Sequence, residues 1–580
     1  MKFLLVGINA KYIHSNPAVY SLAAYAKKQT DADGEPLKKH IEIAEYTINQ
    51  NPEEILSDIY SRKPDVIAFS CYIWNIRLVE ELMEALHQIR GDLPIWLGGP
   101  EVSFHTLEMF TRFPYMTGIM VGEGEKTFAQ LLQAYCDDSA LPIENLEKIA
   151  GIATVNGLTK ERECMDLNEI PFFYEDLSDF ENRIIYYESS RGCPFRCKYC
   201  LSSIEKKLRF RNVETVKREL QIFLDAKVPQ VKFIDRTFNA NHEHAMEIWR
   251  YIKENDNNVT NFHFEISADL LREEEIALLQ TMRPGLVQLE IGVQSTNAKT
   301  IAAINRTTDL TKLGRAVAKL GEKENIHRHL DLIAGLPYED YESFHQSFND
   351  VYNMHPQQLQ LGFLKVLKGA DMEKQAQEYG IVYRKQPPYE VLYTKWLDFA
   401  EMIRLKRIEE MVELFYNSGQ FATTIRFMEQ FYKDPFLMYE ELAEYYEENG
   451  YLATASKRAL HYERFLAFAA KKDPQRIEVY RELLTYDCYL RENMKTRPDF
   501  CNKQDTYREI IHDFYKTEAK QMKNLMHLEF FRYPVWENCE KKVEVPFKEV
   551  QKVIFDYRER NPVTKACCVI ISKGENQYGI

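Results

Sequence analysis

No stretch of this 580-residue chain is apolar for long enough to span a membrane, and the opening MKFLLVGINAKYIH carries too short an apolar run for a signal peptide. Positive charge is in deficit. The 74 Lys and Arg face 88 Asp and Glu, a formal net charge of −14, which argues against a surface built to coat nucleic acid. A local basic patch stays compatible with that balance, but no appended basic, aromatic-rich RNA module is visible. The eleven cysteines are odd in number and mostly scattered, which fits a reducing compartment and excludes a disulfide framework. No G-x-G-x-x-G follows the first strand-like run, which argues against a dinucleotide. These absences leave a cytoplasmic chain without a membrane partner, long enough for roughly three or four domains.

What is present is concentrated first in Ser189 to Ser203, SSRGCPFRCKYCLSS. Cys193, Cys197 and Cys200 stand at C-x-x-x-C-x-x-C spacing, and Gly192 and Pro194 bend the backbone so that the thiolates can converge. A compact loop carrying three thiolates makes an iron–sulfur ligand set, and on a cluster with four iron corners it leaves one iron open to a small molecule. Structural zinc is the plainer alternative. It needs a fourth Cys or His at short spacing, and Cys164 and His242 are far off in sequence.

Residues 1–140 alternate strand-like runs with helical patterns. Phe3 to Ile8, Val66 to Ser70, Ile95 to Leu97 and Ile119 to Val121 read as buried parallel strands, and Leu78, Leu82, Leu86 and Ile89 recur at helical spacing between two of them. The pattern predicts a doubly wound α/β domain with its ligand edge beyond the strand carboxyl ends, in the loops Asn9 to Pro17, Ser70 to Trp74, Gly98 to Ser103 and Gly122 to Glu125. Residues 141–180, with Pro142, Gly151, Gly157 and Pro171 spread through them, read as a linker with a small hairpin.

Over residues 181–370 the alternation resumes, with candidate strands at Val231 to Ile234, Phe262 to Ile266, Val287 to Ile291, Leu330 to Ile333 and Leu359 to Phe363. Repeated βα units predict a barrel or partial barrel whose site lies at the strand carboxyl ends. Residues 371–580 read as a mainly helical domain of unknown function. Ile408, Met411, Val412 and Phe415 follow the i, i+3, i+4, i+7 rule, similar stretches recur to about residue 530, and the many Tyr and Phe residues read as core. Val543 to Ile571 is expected to close the chain with a helix and the strand Ala566 to Ile571, in which the adjacent Cys567 and Cys568 fall on opposite faces.

The cysteine spacing, with Tyr199 just before the last Cys, resembles the radical S-adenosylmethionine (SAM) enzymes. The strand-end loops of the first domain resemble the cobalamin-binding domains that precede many radical SAM modules, although a Rossmann-like domain for another nucleotide stays open on those loops alone. The resemblance implies a [4Fe-4S] cluster on Cys193, Cys197 and Cys200, with SAM chelating the free iron. It implies SAM contacts at Tyr199 near the adenine, Asp235, Glu265, Glu290, Gln294 and Gly335. Each carboxylate taken singly reads equally well as a solvated loop charge; their order after the cysteine motif carries the assignment. For cobalamin the implied residues are Asn9, Ser70, Gly98, Gly99 and Glu123, the glycine pair admitting the nucleotide tail. One departure stands out. Where that family carries Asp-x-His-x-x-Gly, this chain has Asn9-Ala-Lys-Tyr-Ile-His14, so Lys11 replaces the ligand His and no histidine is expected beneath the cobalt.

By that resemblance, an electron from the reduced cluster cleaves SAM, the resulting 5′-deoxyadenosyl radical removes hydrogen from an unactivated carbon, and methyl is captured from cobalamin that a second SAM remethylates. Methylation of carbon or phosphorus in a small molecule is the first reading. A cobalamin-dependent rearrangement or cyclisation, and a cobalamin-sensing or electron-relay protein without turnover, are the alternatives. A flavodoxin- or ferredoxin-type electron donor is the implied protein partner. Nothing in the residues names the substrate or a catalytic side chain.

Overall fold

The computed structural model describes the chain except residues 32–33, 139–140, 206, 453–456, 522, 524, 538–542 and 573–580. Phe3–Asn9 (β1) is buried at every position because helices cover both faces of its sheet. With Ile41–Thr47 (β2), Val66–Ser70 (β3), Ile95–Gly98 (β4) and Gly118–Met120 (β5) it forms a parallel sheet of order β2-β1-β3-β4-β5, which reverses direction between β1 and β3. That reversal is the switch point at which doubly wound sheets bind ligands. β2 lacks a continuous apolar run because it is an edge strand, with only Ala44 and Tyr46 buried. The hairpin Ile152–Thr154 (β6) and Gly157–Leu158 (β7) adds antiparallel to β5, so the first sheet continues into the segment that reads as a linker. Phe3, Trp96 and Phe128 fill the core on one face and Ile59, Leu82 and Leu97 on the other. Each such fully buried side chain contributes about 2 kcal/mol.

The second sheet is a six-stranded, wholly parallel partial barrel, open between its edge strands. It runs Gln358–Phe363 (β15), His327–Ala334 (β14), Val287–Gln294 (β13), Asn261–Ile266 (β12), Gln230–Phe233 (β11) and Ile185–Tyr187 (β8). Between β8 and β11, Ser190–Arg191 (β9) and Arg209–Phe210 (β10) pair antiparallel and bracket the cysteine loop. β13 shows why the sheet curls. Val287, Leu289, Ile291 and Val293 are buried under the outer helices, while Gln288, Glu290, Gly292 and Gln294 stay partly accessible on the concave side.

One hydrophobic core runs from the barrel into the helical region, taking in Leu330, Phe348, Leu405, Ile408, Met411 and Phe415. Beyond the small hairpin Val382–Tyr383 (β16) and Val391–Tyr393 (β17), that region is helical up to the three-stranded antiparallel sheet Met526–Phe531 (β18), Gln551–Arg560 (β19) and Cys567–Ser572 (β20). The expected helix within Val543 to Ile571 is corrected here: β19 buries the consecutive Val553, Ile554, Phe555 and Asp556, which a central strand accommodates and an amphipathic helix does not. Cys567 is buried and Cys568 exposed. No helix among the described residues is long and apolar enough to cross a membrane.

Candidate active site

The cysteine loop is shaped by its entrance and floor. Gly192 has φ +95°, and a Cβ there would stand 2.5 Å from the Lys207 carbonyl, so only glycine passes. Asp235, fully buried just beyond β11, accepts hydrogen bonds from Ser189 N (3.0 Å), Ser189 Oγ (2.6 Å) and Ser190 Oγ (2.6 Å). Burial pushes its carboxyl up to about 6 despite those donors. Asp235 therefore anchors the strand that enters the loop.

Cys193 Sγ lies 3.6 Å from Thr237 Oγ1, beyond β11. Arg306 donates to Gly292 O of β13 (2.5 Å) and to the Tyr199 hydroxyl (3.3 Å), and its guanidinium lies 3.8 Å from Cys197 Sγ. The loop thus lies over the strand carboxyl ends, with a cation beside the middle thiol. All three thiols are free. Among the described residues the one His/Cys/Asp/Glu trio with ligand atoms within 4.8 Å of one another is Glu290, His329 and Asp331. Three cysteines on one loop, with the Arg306 cation beside the middle one, suit the thiolate ligand set of an iron–sulfur cluster.

Strand register assembles the concave face below: Lys232 lies beside His263, Glu265 beside Glu290, Glu290 beside His329, and Gly292 beside Asp331. Lys232 Nζ reaches Glu290 Oε2 at 3.1 Å, and His263 Nε2 stands 3.0 Å from the same oxygen, close but poorly aligned for a hydrogen bond. Burial would raise Glu290, but these neighbours hold it down at about 2. Glu265 has no such donor among the described residues. Burial first, then the charge on Glu290, push it up to about 7. His329 Nε2 and Asp331 Oδ1 face each other at 3.0 Å, again close but poorly aligned for a hydrogen bond. Gln294 ends β13 in a bulge at φ 74°, its buried Oε1 without a partner among the described residues. Gly335, at φ +87°, packs on β17, where a Cβ would meet Val391 Cγ1 at 2.7 Å.

At the switch point of the first sheet, Asn75 ties two loops together. Its side chain donates to Ile8 O (2.9 Å) and Ser70 O (2.8 Å) and accepts from Tyr72 N (2.8 Å). Asn9 donates to His14 O and to Glu45 Oε1 (2.8 Å), and the other Glu45 oxygen takes Tyr20 OH (2.7 Å) and Arg183 (2.6 Å). His14 Nδ1 is engaged by the Tyr186 hydroxyl of β8 at 2.6 Å. Tyr12 and Trp74 are exposed on the same edge. Ser70 is buried. The glycine pair divides: a Cβ at Gly98 would make ordinary contact with Met120, whereas one at Gly99, φ +108°, would stand 2.5 Å from Cys71 O. Gly99 is thus required by the protein's own packing, whatever passes beside it.

The two sheets meet through charge. Arg191, two residues before Cys193, donates to Glu123 (3.1 Å), Glu125 (2.9 Å) and Glu188 (2.6 Å), while Arg209 adds a second link to Glu123 (2.5 Å), whose remaining oxygen accepts from Met165 N (2.7 Å). The Glu123 carboxylate is therefore committed to the junction. On the far side Glu101 pairs with Lys368 (3.0 Å) and the Tyr389 hydroxyl. Sequence reasoning missed Asn75, Glu45, Arg191 and Arg306. Asn75 lies outside every motif of the sequence, and Arg191 lies 66 residues from Glu125.

Three family models match successive stretches: B12 binding domain at residues 4–132, Radical SAM superfamily at 187–351, and Protein of unknown function (DUF4080) at 377–555. The 2-(S-pantetheinyl)-carbapenam-3-carboxylate methyltransferase of Streptantibioticus cattleyicolor is 26% identical over 317 residues, covering 48% of this chain and 44% of that protein. Cobalamin-dependent radical SAM methyltransferase TokK of Streptomyces tokunonensis is 25% identical over 356 residues, covering 55% and 50%. The chain thus spans about half the length of the curated relatives it matches. The apo structure of the cobalamin-dependent S-adenosylmethionine radical enzyme OxsB shares the fold at a TM-score of 0.59 and 15% identity, over 90% of this chain and 84% of that one. Arg191 and Arg209 thus join a stretch that matches the B12 binding domain to one that matches the Radical SAM superfamily, and a stretch that matches a protein of unknown function follows.

Proposed function

We propose that this protein is a cobalamin-dependent radical SAM enzyme that methylates an unactivated carbon, or phosphorus, of a small-molecule substrate. One observation carries the reading: Arg191 and Arg209 clamp the Gly122 to Glu125 turn of the first sheet against the base of the cysteine loop. A ligand at the first sheet's carboxyl edge and one at the three thiols would then face the same cleft. Bound there, cobalamin would supply the methyl group, and a [4Fe-4S] cluster with SAM the means of removing hydrogen. Cys193, Cys197 and Cys200 would hold the cluster, and Arg306 would hold the loop down on β13. Exposed Tyr12 and Trp74 would wall the cobalamin side, with His14 turned away to Tyr186. Lys232, His263, Glu290, His329 and Asp331 pair among themselves and would give the substrate a polar, pre-oriented floor.

The test uses anaerobically reconstituted protein, a cell metabolite extract and SAM labelled in its methyl group. Labelled product together with S-adenosylhomocysteine and 5′-deoxyadenosine is expected. 5′-Deoxyadenosine alone would point to rearrangement, and neither would point to a protein without turnover.

A further inference from the structure

At the opposite, amino-terminal end of the barrel lies a cavity of about 940 Å³. Its floor is made by the first residues of the strands, among them Gln230, Gln288, His327 and Gln358, and its walls by the helical domain and by the turn between β19 and β20. The turn is seated directly on the barrel: a Cβ at Gly285 would fall 2.7 Å from Pro562 Cβ.

The lining is strongly cationic in a protein whose net charge is −14. Arg283, Arg426, Arg458, Arg491, Arg560 and Lys565 face it, against the carboxylates of Glu429 and Glu492. Arg283 is held by Asp256 (2.7 Å), and Arg458 by Glu492. Three others have backbone carbonyls as their hydrogen-bond acceptors among the described residues. Arg491 donates to Thr564 O, Arg560 to Arg491 O and Lys565 O (both 2.9 Å), and Lys565 to Pro562 O (2.7 Å). Asp487, which attracts Arg491 from the helical core, is saturated by four hydrogen bonds from Thr423 and Thr424. Space is kept for the arginine: a Cβ at Gly419, φ +61°, would fall 2.8 Å from Arg491 Nη2. Two polar atoms of the lining, Arg491 Nε and His327 Nδ1, are buried without a hydrogen-bond partner among the described residues.

Like charges brought together without a counter-ion repel, and a fold that converges them gains when an anion occupies the gap. Guanidinium forks with an ammonium beside them match phosphate oxygens in geometry as well as charge. The volume suits a ligand up to the size of a nucleotide. We propose that this cavity binds a small phosphorylated anion, at a site separate from the cysteine loop, and that the ligand fastens the β19–β20 turn to the barrel.

Calorimetric titration of the full-length protein at low ionic strength, with inorganic pyrophosphate, ADP and citrate as probes, tests this. One equivalent of pyrophosphate or ADP should bind, with affinity falling as salt is added. Tighter ADP binding would mark a nucleotide as the source, and tighter pyrophosphate binding a free phosphoanion. Lys565→Gln, on an exposed turn, should weaken binding at least tenfold, Lys565→Glu further, and Arg560→Gln similarly, while Cys197→Ala binds as wild type does. Circular dichroism establishes that each variant is folded. No binding at millimolar probe, equal affinity in Lys565→Gln, or citrate binding as tight as pyrophosphate would overturn the proposal.

Discussion

β1 of the first sheet is buried at all seven of its positions, whereas β13 of the second alternates buried and partly accessible residues over eight. Both strands lie in sheets of parallel strands. The first sheet is covered by helices on two faces, so its strands are nearly all apolar and any ligand chemistry is confined to the loops beyond them. The second sheet is covered on its outer face alone. Its concave side is free to carry Lys232, Glu265, Glu290 and Asp331 along the strands themselves. Changes in the strands of the first sheet should therefore act through stability, and changes on the concave side of the second through charge.

The sharpest break between the halves is at the cysteines. Alanine at Cys193, Cys197 or Cys200 should abolish iron incorporation and SAM cleavage, read by iron content and 5′-deoxyadenosine formation, and leave cobalamin retention by the first sheet intact. Full SAM cleavage in any one of them would sink the assignment. A Cys567/Cys568 double variant should keep its iron.

The joint between the halves comes next. Arg191→Met would leave Glu123, Glu125 and Glu188 with their charges partly buried and under-compensated, which should cost about 3 kcal/mol in denaturant unfolding. A loss below about 0.5 kcal/mol would show that the clamp is dispensable.

Within the first sheet, Gly99→Ala should cost roughly 2 kcal/mol, from the left-handed backbone and the approach to Cys71 O. Gly98→Ala should cost under about 1 kcal/mol and so reports on the cobalamin tail without unfolding the loop. Equal losses at the two positions would contradict this division.

On the second sheet, folding raises the Glu265 carboxyl from 4.5 to about 7, so the folded state binds the extra proton between those values. The stability this group contributes is present at low pH and is lost as pH rises through that window. Glu265→Gln cannot ionise, and should be more stable than wild type by about 3 kcal/mol at pH 8 with no advantage at pH 4. Glu290, held at about 2, has the opposite sign: its contribution is lost as pH falls below 4.5. An unchanged slope in Glu265→Gln would place the proton elsewhere.

The smallest effect is expected at His14. With Nδ1 engaged by Tyr186, its loss should cost about 1 kcal/mol and leave the paramagnetic resonance of bound cobalt(II) without nitrogen splitting, as in wild type. A nitrogen triplet that vanishes in His14→Ala would refute this.

The parts of this protein determined by the sequence alone are those written in short-range pattern. The three cysteines lie within eight residues of one another, and the buried strands announce themselves as apolar runs because both faces, or one face in alternation, must leave water. Elements without that signal escaped: the edge strands β2 and β8, too short or too half-exposed to form a run, and β19, whose partners β18 and β20 define it. Tertiary structure alone decided what the polar residues do. Nothing local pairs Arg191 with acids 66 and 68 residues away, makes Asn75 a brace between two strand ends, or sets Lys232 on Glu290. Hydrophobic periodicity is a property of neighbours along the chain, whereas the partner of a charge is chosen by how the chain returns to itself, and register then sets which side chains share a face.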